Sequence, residues 1–291
     1  MFSKFLNPKN DVAFKKVFGS QAHQNILIRF INDVLELHPG DQIKTVTYLP
    51  TAQEPELAIK KQSIVDVLCT DEKGARYIIE MQVAQTAGFE KRAQYYAAKA
   101  YSRQLNKGNS DYSQLKEIIF IAIVDYVLFP DKPGCKSDHV ILDRQTHEHD
   151  LKDFSFTFIE LPKFTKSKDE PLENTLDQWC RFFKYAEETD EADLAHIIGN
   201  DRIIQEAYKT INRFNWTEAE LDAYELELKR EMDFMAVQKA AEARGKAEGK
   251  AEARAEEQLA MAQKLLAKGM DLIFISEVTG LSQEEISHMI S

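Results

Sequence analysis

Apolar residues recur at helical spacing near the start of the chain, where Val12, Phe14, Val17 and Phe18 follow Asn10-Asp11, a pair able to cap the helix. After Gly19 a second apolar-periodic run over residues 26–37 predicts another helix, closed by His38-Pro39-Gly40. The period then shortens. Residues 44–49 read as a strand stopped by Pro50, and residues 62–70 and 75–84 as two more, joined by the polar turn Asp71-Glu72-Lys73-Gly74. Residues 89–106 have helical composition. Residues 117–129 are apolar through their first half, as a fully buried strand would be, and residues 138–143 and 154–161 predict two further strands. The order is helix, three strands, helix, strand, then accessory strands, which predicts a mixed α/β domain over residues 1–165.

Residues 163–170 form a polar linker, and the pattern beyond is helical throughout, so residues 170–291 are expected to form a separate helical region. Residues 239–258 are rich in Ala, Glu, Lys and Arg and repeat Gly-Lys-Ala-Glu at 245–248 and 249–252, a composition suited to a long exposed helix. Gly245 and Gly249 each weaken such a helix by about 1 kcal/mol relative to Ala. Near the end, one helix can stop at Gly280 and the next be capped by Ser282, with Glu285 closing a capping box. This piece has the layout of a helix-turn-helix, but few basic groups lie on its last helix. A helical hairpin for packing or dimerisation is therefore the expectation, and a homo-oligomer would form through these C-terminal helices.

Composition adds boundaries. The 291 residues can bury one sizeable core plus a smaller unit. No run approaches the roughly 20 apolar residues of a membrane span, and the N-terminus turns polar at Asn7, too soon for a signal peptide. No membrane association and a cytoplasmic location are the expectations. Cys69, Cys135 and Cys180 are too widely spaced to suggest a disulfide framework or a zinc site. The net charge of −11 opposes a simple DNA-binding reading, because phosphate contacts want Lys and Arg. The imbalance is local, however. Residues 170–233 hold 17 acidic and 7 basic residues, a net of −10, whereas residues 89–107 carry Lys91, Arg92, Lys99, Arg103 and Lys107 against Glu90 alone.

The chemistry concentrates on the hairpin. Asp66 and Glu80 are embedded in β-branched and other apolar residues, where a carboxylate costs several kcal/mol unless compensated. A turn centred near Lys73 makes them cross-strand neighbours, with Gln82 projecting from the same face as Glu80. Opposed carboxylates repel unless they share a proton or a cation. Oxygen ligands favour Mg²⁺ or Mn²⁺, which can activate water and stabilise charge on a phosphodiester. The competing reading makes them half-exposed edge-strand carboxylates, or partners of buried Arg or Lys.

Asp66 followed after a short turn by Glu80-Met81-Gln82 resembles the D…(E)XK motif of PD-(D/E)XK nucleases, with Gln in place of the usual Lys. Asn10-Asp11-Val12-Ala13-Phe14-Lys15, the stretch from Arg92 to Tyr96, and the Ala/Glu/Lys-rich helix resemble the Rpn family of recombination-promoting nucleases and transposases. The similarity spans residues 7 to about 165 well and the tail loosely. It implies a restriction-endonuclease-like PD-(D/E)XK core with an all-helical C-terminal region. It also implies Mg²⁺-dependent DNA cleavage, connected with recombination, that leaves hydroxyl and phosphate ends. On that basis Asp66 and Glu80 are metal ligands and the Met81 backbone carbonyl is a third oxygen. Gln82 stands where Lys orients the attacking water, and Asp11 is an additional acid; a plain polar strand residue accounts for Gln82 nearly as well, and a plain helix cap accounts equally for Asp11.

Arg92, Tyr96, Lys99 and Arg103 fall on one helix face and form a candidate DNA-contacting stripe, the alternative being an ordinary solvated face. Lys15 and Lys16 read as surface residues, and His147-Glu148-His149 as an exposed loop. The expected function is a Mg²⁺-dependent DNA endonuclease. Its rival is a DNA- or protein-interaction module that keeps the fold without the turnover, a reading favoured by the neutral Gln82 and the acidic charge.

Overall fold

A computed structural model describes residues 3–53, 63–105, 111–168, 170–190, 193–194 and 201–289. The ends expected for two elements, Gln62 and Asn106, lie outside these residues, as does Lys107. The chain divides into two compact units, Met1–Leu228 and Lys229–Ser291.

The first unit opens with helices α1 (Asp11–Phe18) and α2 (Gln24–Val34). Asn10 is buried and caps α1, its side chain accepting from the Val12 amide at 3.1 Å. Strands β1 (Val46–Tyr48), β2 (Ala52–Gln53), β3 (Ser63–Ile64), β4 (Val67–Asp71) and β5 (Arg76–Gln82) follow. Helix α3 (Phe89–Ser102) then leads to β6 (Ile118–Val124), β7 (Lys136–Val140) and β8 (Phe154–Glu160). Among them β1, β4, β5, β6, β8 and β7 form, in that order, a six-stranded sheet. The β1–β4–β5 meander is antiparallel, β5, β6 and β8 are parallel, and β7 closes one edge antiparallel. Helix, three main strands, helix, strand is the core order expected from sequence.

Side-chain alternation divides the core between the two sheet faces. Val67, Cys69, Tyr77, Ile79, Ile119, Ile121 and Ile123 pack with α1 and α2. Leu68, Ile78, Phe120, Ala122 and Val124 pack with Phe89, Ala93, Ala97 and Ala100 of α3. β6 is buried along its whole length, which explains its unbroken apolar sequence. The β4–β5 turn is the one anticipated: Gly74 adopts φ 90, open to glycine at little cost, and Asp71 accepts from the Lys73 and Ala75 amides at 2.9 Å.

Helices α4 (Thr175–Tyr185) and α5 (Arg202–Thr210) belong to this unit, so the boundary expected at residues 165–170 falls inside it. Trp179, Phe182 and Phe183 of α4 and Ile204, Ala207 and Tyr208 of α5 share one apolar cluster with Phe14, Phe18 and Phe30. The surface of this stretch is acidic, but its buried stripe completes the sheet's cover. Helix α6 (Glu218–Ala267) begins in the first unit and continues into the second. The second unit ends with α7 (Leu272–Thr279) and α8 (Gln283–His288), the latter opened by the expected Ser282–Glu285 capping box. Ala262, Ile275 and Ile286 form its small core.

The expected strand over residues 62–70 is broken. Residues 65 and 66 separate β3, which pairs with β2 in a two-stranded sheet of its own, from β4. The break coincides with the chemistry described next.

Candidate active site

β4 and β5 pair with Val67 opposite Ile79, so the next step of the register sets Asp66 opposite Glu80. Backbone hydrogen bonds at this step are replaced by side-chain ones. The Asp66 amide donates to Glu80 Oε1 at 3.1 Å, and the Met81 amide donates to Asp66 Oδ2 at 2.9 Å. The carboxylates thus lock each other's strand while ending regular pairing, which is why the strand breaks here. Glu80 is held from its other side by β6, opposite Ala122.

Burial dominates the electrostatics. It pushes the Asp66 carboxyl up to about 6; the Met81 amide works the other way, Asp11 raises it further, and Lys15 and Arg92 hold it down. Glu80, 5% exposed, is raised well above the usual carboxylate range by burial and then by Asp66. A buried carboxylate set opposite a half-buried one holds a proton between them, or a cation. One oxygen of each is committed to a backbone amide, leaving the other for an ion. Among the described residues no three His, Cys, Asp or Glu side chains gather into a metal-holding group. Mg²⁺ does not require one, because one or two carboxylates with water and phosphate oxygens suffice. The donor set fits such an ion.

The structure brings most of the candidate residues together. Gln82 ends β5 on the same face, accepting from Arg92 through Oε1 and donating to the Ala84 carbonyl at 2.7 Å through Nε2. Arg92 lies over Phe89, 4.9 Å from the ring centroid, and 6.0 Å from that of Tyr96. Tyr96 is raised chiefly by burial; Arg92 opposes this, and Glu80 and Asp66 add to it. Lys99 sits farther along α3, 5.9 Å from the Tyr95 ring centroid, and Arg103 caps the helix C-terminus, its amide donating to the Lys99 carbonyl at 3.3 Å. Asp11 joins the site through Lys15, whose Nζ lies 2.7 Å from Asp11 Oδ1 and 4.0 Å from Asp66 Oδ1. Burial lowers Lys15, but the Asp11 hydrogen bond and the charges of Asp11, Asp66 and Glu80 together raise it.

Lys15, expected as a surface residue, is partly exposed and also adjoins the candidate carboxylates; its i,i+4 spacing from Asp11 was the available signal. Asp125 also adjoins the candidate residues. It follows β6, donates its amide to the Gln82 carbonyl at 3.0 Å and pairs with Lys9 at 2.7 Å. No sequence spacing links residues 82 and 125; the parallel pairing of β5 with β6 does.

The family model for PD-(D/E)XK nuclease family transposases matches residues 8–241. The chain belongs to this family. A second model, for the C-terminal helix-turn-helix domain of Rpn/YhgA-like nucleases, matches residues 255–289. No match was found among curated proteins or among solved structures.

The second match corrects the expectation of a simple helical hairpin. The end of α6 supplies Ala262 to the core that α7 and α8 build with Ile275 and Ile286. Membership in the PD-(D/E)XK family makes the chain nuclease-like, of a class that generally uses divalent metals, and the helix-turn-helix adds a DNA-binding fold. Among the described residues no helix is long and apolar enough to cross a membrane.

Proposed function

We propose that the protein is a Mg²⁺-dependent DNA endonuclease, with Mn²⁺ as a substitute ion, acting in DNA recombination or mobile-element movement. The observation that supports this reading is the opposition of half-buried Asp66 and buried Glu80, in a spacing that resembles the family's motif. Asp66 and Glu80 would hold the cation, with the Met81 carbonyl as a further oxygen. The ion, when bound, supplies Lewis-acid stabilisation of the phosphodiester and makes water a better nucleophile. Asp66 is kept in place by the Met81 amide and Glu80 by the Asp66 amide. Arg92, Tyr96, Lys99 and Arg103 would steer the DNA backbone along α3 toward the carboxylates. The helix-turn-helix supports DNA as the partner.

A second reading, an interaction module that keeps the fold and binds DNA without cutting it, is favoured by one observation. Gln82 carries no charge where the motif has Lys.

Supercoiled plasmid incubated with the full chain and Mg²⁺ or Mn²⁺, beside the Asp66→Ala variant, separates the readings. Nicking or linearisation by the wild type alone is expected. Equal cleavage by the variant removes Asp66 from the chemistry, and retained DNA binding without cleavage by either protein establishes the second reading.

A further inference from the structure

The motif position occupied by Gln82 cannot serve as a lysine does. Its amide is used at both ends, by Arg92 and by the Ala84 carbonyl, so it is tied to α3 and to the chain following β5. Arg92 is itself engaged, bonded to Gln82 and laid against the Phe89 ring. Among the described residues, the remaining cation close to the carboxylates is Lys15. Its side chain is 41% exposed, enough to meet a phosphate, yet its Nζ is 4.0 Å from Asp66 Oδ1.

The position is built, not incidental. α1 is fixed by the buried Asn10 cap and by the buried Phe14, Val17 and Phe18. Asp11, one turn earlier, grips Nζ through both carboxylate oxygens, at 2.7 and 2.9 Å. A lysine carries about 2 kcal/mol of rotamer entropy, and a bidentate grip reduces what remains to be lost when substrate arrives.

We propose that Lys15 is the catalytic lysine of this enzyme, delivered from α1 in place of the motif position, and that Asp11 is its positioning residue and not a metal ligand. This rests on the nuclease reading above. In the hydrolysis, the water oxygen forms a new bond to phosphorus and gives its proton to solvent, while the ester P–O bond breaks and the departing alkoxide takes a proton from solvent. Lys15 keeps its own proton throughout and offsets the charge growing on the phosphoryl oxygens.

The test uses the full chain, plasmid cleavage with Mn²⁺, and Mn²⁺ titration calorimetry on the same samples. Lys15→Met is expected to lose about 100-fold or more in cleavage rate, the scale for removing one charge-stabilising group. It should bind Mn²⁺ as tightly as wild type or a few-fold tighter, because a nearby cation has gone. Lys15→Arg should retain part of the rate, and Asp11→Asn should lose about tenfold with unchanged Mn²⁺ affinity. Lys15→Met combined with Gln82→Lys should recover at least tenfold over Lys15→Met alone, returning the charge to the motif position. Cleavage by Lys15→Met within threefold of wild type overturns the proposal. Loss of Mn²⁺ binding by Lys15→Met also overturns it, by reducing Lys15 to a support for Asp66. A wild type that binds Mn²⁺ and DNA but never cleaves overturns the nuclease reading itself, and the proposal with it.

Discussion

Replacing Asp66 with Asn should make the metal-free protein more stable at neutral pH while removing the proposed metal site. Asp66 lies at about 6 in the folded chain against 3.8 for a free aspartate. A folded-state value above the unfolded one means that the folded chain binds the proton more tightly, so stability falls as pH rises between those two values. Above about pH 6 the whole cost is present. A shift of about 2 units corresponds to about 3 kcal/mol, an upper figure for a side chain that is 19% exposed. Asparagine keeps an oxygen to accept from the Met81 amide and carries no charge, so a gain of about 1–3 kcal/mol is expected at pH 7.5 in EDTA. Near pH 4 the gain should drop below about 1 kcal/mol, because Asp66 is then largely protonated in the folded chain and half protonated in the unfolded one. Saturating Mn²⁺ should reverse the order, since an ion at about 1,000 times its Kd adds about 4.1 kcal/mol to the wild type only. Urea unfolding followed by tryptophan fluorescence is the assay, and both tryptophans, Trp179 and Trp216, are buried in the first unit. An Asp66→Asn protein that is less stable than wild type in EDTA at pH 7.5 refutes the reasoning, as does a gain that persists undiminished at pH 4.

Two further outcomes follow from contacts already described or adjacent to them. Glu160 is fully buried and accepts from the Leu128 and Phe129 amides at 2.6 and 2.9 Å, with Lys163 at 2.7 Å as its countercharge. Lys163→Met should therefore cost about 3–5 kcal/mol in urea unfolding, as an orphaned buried charge does; a cost under about 1 kcal/mol would show that the amides alone suffice. Lys99→Gln should weaken binding to unrelated duplexes evenly and reduce the slope of log K against log salt by about 1, measured with Ca²⁺ in place of Mg²⁺. An unchanged slope would take Lys99 off the DNA path.

Much of the architecture is present in local pattern. The Asn10 cap, the Gly74 turn, the apolar run of β6 and the Ser282–Glu285 box each act within a few residues, through dihedral preference, capping or side-chain period, and each is visible in sequence. The opposition of Asp66 and Glu80 is nearly as local, because a short turn of known length sets a hairpin's register. Three features were decided only by tertiary packing. The strand breaks at Asp66 because its carboxylate and that of Glu80 take over backbone hydrogen bonds, which no propensity encodes. Helices α4 and α5 join the first unit because their buried stripes fit the face of α1 and α2, although their exposed sides suggest a separate acidic region. Lys15 stands beside Asp66 because α1 docks at the end of a hairpin some fifty residues away in the chain. The sequence by itself determined the carboxylate pair that could carry the chemistry. Where the positive charge stands among them depended on how two distant elements pack, since electrostatic work falls off over a few ångströms and not over sequence separation.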